Sequence, residues 1–256
     1  GNDARFCSYG ASGRIHRCSG SPSLANSLNW GQEMEYDTTN TKTKLLFAAG
    51  ELFAEQGVEG TSVRQIAAKA DANVASVNYH FGSKQNLYTE LMRYLCNMEH
   101  KNRIQTIQQE NPEWLETREG HARIIHELVR SQIAHVLDPD HPDWHSKLWL
   151  KEITQPTEAL DILMEEYFKP ERDRFIELVK KIKPGITELE AAYWHMFMPA
   201  HMLLYSLAQE PIFKLSEMDE FTPEFVNSMI YFASKALIQG LDLPYPGDLH
   251  ITLQPE

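Results

Sequence analysis

Residues 60–88 read GTSVRQIAAKADANVASVNYHFGSKQNLY, and the reading of this stretch decides the fold. Ser62 followed three positions later by Gln65 is a capping box, in which a hydroxyl and an amide side chain satisfy backbone amides that a helix start leaves unpaired. Val63, Ile66, Ala67 and Ala70 then recur at three- and four-residue spacing, giving a narrow apolar face of mostly small side chains. Asp71-Ala72 interrupts that pattern. Asn73 caps a second short helix whose inward residues are Val77 and Phe81, leaving Val74, Ala75, Ser76, Asn78, Tyr79 and His80 on its outer and forward surface. A helix presented in this way fits the major groove of B-DNA, where small, apolar and amide side chains all meet base edges.

The flanks extend the unit on both sides. Upstream, residues 41–60 read TKTKLLFAAGELFAEQGVEG, with Leu45, Leu46, Ala49, Leu52 and Phe53 on one helical face and Gly57 as a stop. Downstream, Ser83 caps a further helix, and Lys84 falls in its first turn, where the helix dipole disfavours a cation. That placement predicts an external anion, such as a phosphate, as the partner of Lys84.

Over Leu45 to Tyr88, LLFAAGELFAEQGVEGTSVRQIAAKA, a short turn and VASVNYHFGSKQNLY, the chain resembles the DNA-binding domain of TetR/AcrR-family transcriptional regulators. The resemblance implies that Arg64, Val74, Ala75 and Asn78 face bases, while Thr61, Ser76, Tyr79, His80 and Lys84 position the helix through phosphates. Two residues depart from the family pattern. Asp71 stands where glycine is usual in the turn, and Asp tolerates a left-handed backbone. Asn78 stands where an aromatic is common, and its amide matches the paired donor and acceptor of adenine.

Charge is divided unevenly. The formal net charge is −12, yet residues 38–95 carry Lys42, Lys44, Arg64, Lys69, Lys84 and Arg93 against Glu51, Glu55, Glu59, Asp71 and Glu90, a net of +1. The acidic excess lies from Cys96 onward, in a part that need not approach phosphate. A footprint of +1 is weak, so tight binding requires locally aimed cations, helix amino termini and doubling by dimerisation. The 42% hydrophobic content is that of a folded protein, and no apolar run reaches the roughly 20 residues of a membrane helix. Cys7, Cys18 and Cys96 form no CxxC pair, which argues against a zinc ribbon or disulfide framework and for a reducing cytoplasm.

The expected fold is all-α: a three-helix helix-turn-helix domain over residues 38–95, then a larger helical ligand-binding and dimerisation domain over 96–245. Residues 1–37 read as a flexible extension and 246–256 as a tail. In the extension no signal peptide is visible, Gly1 reads as an added residue, Met34 as a more natural start, and Arg5, Arg14 and Arg17 as solvated. Helices are predicted over 83–110, 113–137, 146–153, 157–182, 187–209 and 223–239. The resemblance implies that the last two pair with their copies in a homodimer. Tyr193, Trp194, Phe197, Met202, Tyr205, Phe225, Met229, Phe232 and Leu237 exceed what one monomer core needs. The segment from Trp149 to Pro170 resembles the ligand domain of CecR-like members.

Candidate effector-pocket residues are Trp149, Glu152, Ile153, Leu163, Tyr167, His195, Met198, His201 and Met202, with a kink at Pro199 beside the cavity. His135, His141 and His145 with Asp138, Asp140 and Asp143 suit transition metals by chemistry, but DPDHPDWH has the composition of a surface turn and matches no ligand spacing. His195 and His201, six apart, do not share a helical face. The expected function is therefore a repressor, not an enzyme, without metal or cofactor, that binds a palindromic operator in double-stranded DNA and is released by a small-molecule effector. The rivals are an all-helical metalloenzyme and an interaction module of the same fold that does not bind DNA.

Overall fold

The computed structural model of the chain describes residues 40–100, 103–137, 142 and 144–249, apart from the side chains of 97–100, 135, 202, 203, 206 and 207. The expected extension over 1–37, Asp138, Asp140, His141 and Asp143, and the side chains of His135 and Met202, lie outside these residues. The described residues form helices and no strand. The chain divides into two compact units, one ending at Leu91 and one beginning at Met92.

The first unit starts with α1 (Thr41–Gly60), where the Asn40 side chain accepts from the Lys42 amide. Its inward face buries Leu45, Leu46, Ala49, Leu52 and Phe53. Gly57, at φ 75°, leaves the helical path, as its place beyond the last apolar residue predicts. Next come α2 (Val63–Lys69), α3 (Val74–Phe81) and α4 (Lys84–His100). Ile66, Ala67, Ala70, Val77, Phe81 and Leu87 close the core, and the Phe53 ring meets Tyr88 edge-on at 5.6 Å.

The second unit is built on α6 (Arg118–Val136), which packs against α12 (Pro223–Gly240), α5 (Arg103–Glu110) and the 3-10 turn Pro112–Leu115. Ile124, Ile125, Ile133, Val226, Leu237 and Ile238 are fully buried there. The remaining helices are α7 (Trp144–Thr154), α8 (Glu158–Leu163), α9 (Lys169–Ile182), α10 (Glu188–Leu207) and α11 (Gln209–Leu215). Arg93 holds both carboxylate oxygens of Glu166 at 2.7 and 2.8 Å, which draws that carboxyl below its ordinary pKa.

Several expectations are corrected. The single helix predicted over 83–110 is α4 and α5, and the one over 157–182 passes through a π turn at Met164–Phe168. Pro170 lacks an amide and its ring crowds the carbonyl four residues earlier, so the widening falls where the α register is least tenable. Helix α11 follows the break at Ala208 and was not predicted. The tail expected from 246 is anchored through residue 249: Gly247–Leu249 form a 3-10 turn, and Arg123 pairs with Asp248 at 2.7 Å.

The surplus apolar residues also sort differently from the expectation. Met229 and Leu237 are core, whereas Trp194, Phe197, Tyr205 and Phe225 are half-buried. The exposed ones are Tyr193 and Phe232, joined by Leu189, Met196 and Leu204, which were not predicted. On α10, positions 189, 193, 196 and 204 share one face at helical spacing.

Candidate nucleic-acid interface

The reading region is assembled by local hydrogen bonds. The Ser62 hydroxyl accepts from the Gln65 amide at 3.2 Å, while the Gln65 side chain accepts from the Ser62 amide at 2.8 Å, the reciprocal capping box that opens α2. At its end the Ala72 amide donates back to the Ala67 carbonyl at 2.9 Å, and Asp71 takes φ 50°. Asn73 Oδ1 then accepts from the Ala75 amide at 2.9 Å and starts α3. Replacing Asp71 with glycine removes the left-handed penalty, and stability is expected to rise by about 0.5–1 kcal/mol in urea unfolding. Asp71→Val should lower it by about 1 kcal/mol or more, and equal stability of the two variants would contradict this account of the turn.

Val77 and Phe81 are buried beneath α3. Val74, Ala75, Asn78 and Tyr79 are exposed, Tyr79 at 85%, and Ser76 and His80 are half-buried. Gly82, at φ 76°, ends the helix with its amide donating to the Asn78 carbonyl. Arg64 is exposed on α2 and makes no ion pair among the described residues, so its charge is not offset locally. Lys69 is offset by Glu51 at 2.5 Å, and Lys42 lies 3.9 Å from Glu90. Lys44, near the start of α1, is a second exposed cation, which the charge pattern of residues 41–44 carries but the motif does not.

Two expected phosphate contacts are turned inward. Thr61 is 2% exposed, and its hydroxyl lies 2.8 Å from the Gly57 carbonyl and 3.3 Å from that of Leu52. It completes the end of α1, where carbonyls lack helical partners, and does not face a backbone phosphate. The Lys84 ammonium donates to the carbonyls of Val58 at 2.6 Å and Thr61 at 3.0 Å. Two of its donors are thus directed at the carboxyl end of α1, a partner that its unfavourable position on α4 does not suggest.

The expected effector residues lie in the second unit, on α7 to α10 and the π turn. Glu152 is fully buried, and its carboxylate accepts from the amide and hydroxyl of Thr157, the cap of α8, both at 2.9 Å. Leu163 is core and Ile153 is half exposed. Trp149 meets Phe168 edge-on at 5.7 Å, and Tyr167 is half-buried on the π turn. His195 lies 5.5 Å from Phe175, Met198 is buried, and His201 lies 5.0 Å from Tyr205, with desolvation lowering its pKa. The backbone stays helical through Pro199 from Glu188 to Leu207. An open groove of about 480 Å³ lies elsewhere, lined by Glu210, Phe213, Lys214, Glu217, Met218 and Asp219. Among the described residues no cluster of three metal-ligating side chains occurs, and His145 is buried beside Trp144.

Residues 45–91 match the family described as bacterial regulatory proteins, tetR family. Residues 122–210 match the C-terminal domain of the HTH-type transcriptional dual regulator CecR, a span that contains the Trp149 to Pro170 segment. The chain is similar to the HTH-type transcriptional dual regulator CecR of Shigella flexneri, with 25% identity over 215 residues, which covers 78% of this chain and 92% of that protein. It is also similar to the probable HTH-type transcriptional regulator YttP of Bacillus subtilis, 45% identical over 53 residues, or 21% of this chain and 26% of that protein. A crystal structure of a transcriptional regulator from Rhodococcus sp. Rha1 shares the fold, with a TM-score of 0.56 and 18% identity over 78% of this chain and 97% of that one. No helix among the described residues is long and apolar enough to cross a membrane. The chain thus joins a DNA-binding domain of the bacterial tetR family, over residues 45–91, to a CecR-type C-terminal domain, over residues 122–210, and is a DNA-binding transcriptional regulator.

Proposed function

We propose that the protein is a homodimeric repressor that reads a palindromic operator through α3 and is released when a small molecule occupies the second unit. The observation that carries this reading is the outer face of α3. Val74, Ala75, Asn78 and Tyr79 are exposed above a buried Val77–Phe81 floor, on a helix that, like α2 before it, opens on a side-chain cap. Arg64, on the same side of the motif by sequence position, supplies a cation not offset within its own domain. The apolar face of Leu189, Tyr193, Met196 and Leu204 on α10, with Phe232 on α12, supports pairing of two copies. In such a dimer the two reading helices enter successive major grooves when they stand roughly 34–36 Å apart. An effector that favours a state with another spacing lowers affinity by its differential affinity for the two states and by no more. The region of Trp149, Tyr167, His195 and His201 is where we place the effector, within the span that matches the C-terminal domain of CecR.

The experiment is a comparison of the wild type with Asn78→Ala on duplexes enriched from a random pool. Loss of a paired amide contact to adenine should relax discrimination at one base step per half-site by about tenfold or more. Uniform weakening across all duplexes would show that Asn78 does not read bases.

A further inference from the structure

We infer that the buried indole N–H of Trp149 is the donor of a binding site for a neutral, flat, apolar molecule that carries a hydrogen-bond acceptor such as a ketone or amide carbonyl, the class we assign to the effector; this rests on placing the effector in the second unit. The inward face of a packed helix is ordinarily apolar, and a polar group buried there is costly unless it finds a partner. On α7 one edge of that face is polar. His145, Trp149 and Glu152 recur at four- and three-residue spacing, with His145 4% exposed and Glu152 fully buried. His145 packs edge-on against Trp144, and the Glu152 carboxylate accepts from the amide and hydroxyl of Thr157. Trp149 differs from both: among the described residues its Nε1–H is buried and meets no acceptor, although an indole N–H usually finds one when buried.

The neighbours define what that partner is. An indole N–H donates and cannot accept, so the group it takes is an acceptor. Residues three apart on a helix stand about 5–6 Å from each other, and an anion that close to buried Glu152 would be repelled and stripped of its hydration, so the acceptor is uncharged. The Trp149 ring meets Phe168 edge-on at 5.7 Å, and Phe168 closes the π turn on which Tyr167 is half-buried. Aromatic side chains of this kind pack against a flat apolar body, which a single donor among them orients. Single π turns within helices occur frequently at functional sites.

Probes that share a naphthalene body test the assignment on the full chain: 2-acetylnaphthalene, the isosteric 2-isopropenylnaphthalene, which lacks the acceptor, and 2-naphthoate, which is charged. Indole N–H signals are followed by NMR in protein labelled at tryptophan. The Trp149 signal is identified by its absence from Trp149→Phe and, should that variant not fold, by its through-space contact with Phe168 in the wild type. The ketone should move this proton downfield and bind about fivefold or more tightly than either other probe, and Trp149→Phe should bring the ketone level with the isopropenyl compound. Equal affinities in the wild type, an unmoved Trp149 signal, tightest binding by 2-naphthoate, a preference that survives in Trp149→Phe, or binding of no probe up to its solubility limit would each overturn the assignment. If the ketone engages Trp149 while affinity for a duplex enriched from a random pool is unchanged, the ligand site stands and its reading as the effector's falls.

Discussion

Leu204→Glu is expected to turn the dimer into a monomer and to weaken binding to a palindromic duplex by a factor of about 10² to 10⁴. Leu204 is 56% exposed at the end of an apolar row that includes Tyr193, itself 71% exposed, so in a single copy these side chains face water. Covering a leucine contributes about 1.5–3 kcal/mol, and a glutamate in its place would put one carboxylate per subunit into the proposed two-fold interface, where desolvation costs several kcal/mol per charge. Loss of the partner removes the second half-site, and with it the effective concentration that linkage provides. With little net positive charge in its own domain, one reading head holds DNA weakly, which makes the expected loss large. Light scattering reports the mass and fluorescence anisotropy the affinity. Leu215→Glu is the control: Leu215 is 85% exposed on α11, outside the row, and its replacement should leave mass and affinity unchanged. A Leu204→Glu protein that stays dimeric with wild-type affinity would place the interface elsewhere.

Phe53→Ala should unfold the reading unit selectively. Phe53 is fully buried in α1 and meets Tyr88 edge-on at 5.6 Å, so truncation removes a large apolar side chain and leaves a cavity. The cost is about 3–5 kcal/mol, a large part of the 5–15 kcal/mol that typical domains possess. Calorimetry should show a transition shifted strongly downward, DNA affinity lost as that transition is crossed, and the mass of the proposed dimer retained, since the apolar row proposed to pair lies in the second unit. Phe53→Leu, which keeps most of the volume, should lose less. A melting profile like that of the wild type would contradict the placement of Phe53 at the centre of this core.

How far the fold could be read in advance followed the range of the interactions. The Ser62–Gln65 box, the Asn73 cap, the stop at Gly57 and the left-handed Asp71 depend on neighbours within a few residues, and each is found where its spacing places it. The inward pair Val77 and Phe81 followed from helical period alone. The inward hydrogen bonds of Lys84 and Thr61 were not legible because their partners are backbone carbonyls, which no side-chain pattern marks, and because the partners of Lys84 lie 23 and 26 residues away. The exposed row on α10 carries no periodic signal of its own, because that helix is apolar around most of its circumference and Leu189, Met196 and Leu204 differ from its buried residues only in their place in the fold. The hydrogen bond of Glu152, a candidate for the effector pocket, to the amide of Thr157, the cap of the next helix, carries no side-chain spacing that would announce it.

The central claim is that α3 reads sequence while a pair of such heads supplies affinity, and selection of bound duplexes from a random pool, followed by salt titration of the enriched sequence, tests it most directly. The account predicts an inverted repeat with half-sites about one helical turn apart and an affinity that falls steeply with salt. Enrichment of no sequence, or binding that does not respond to salt, would contradict it.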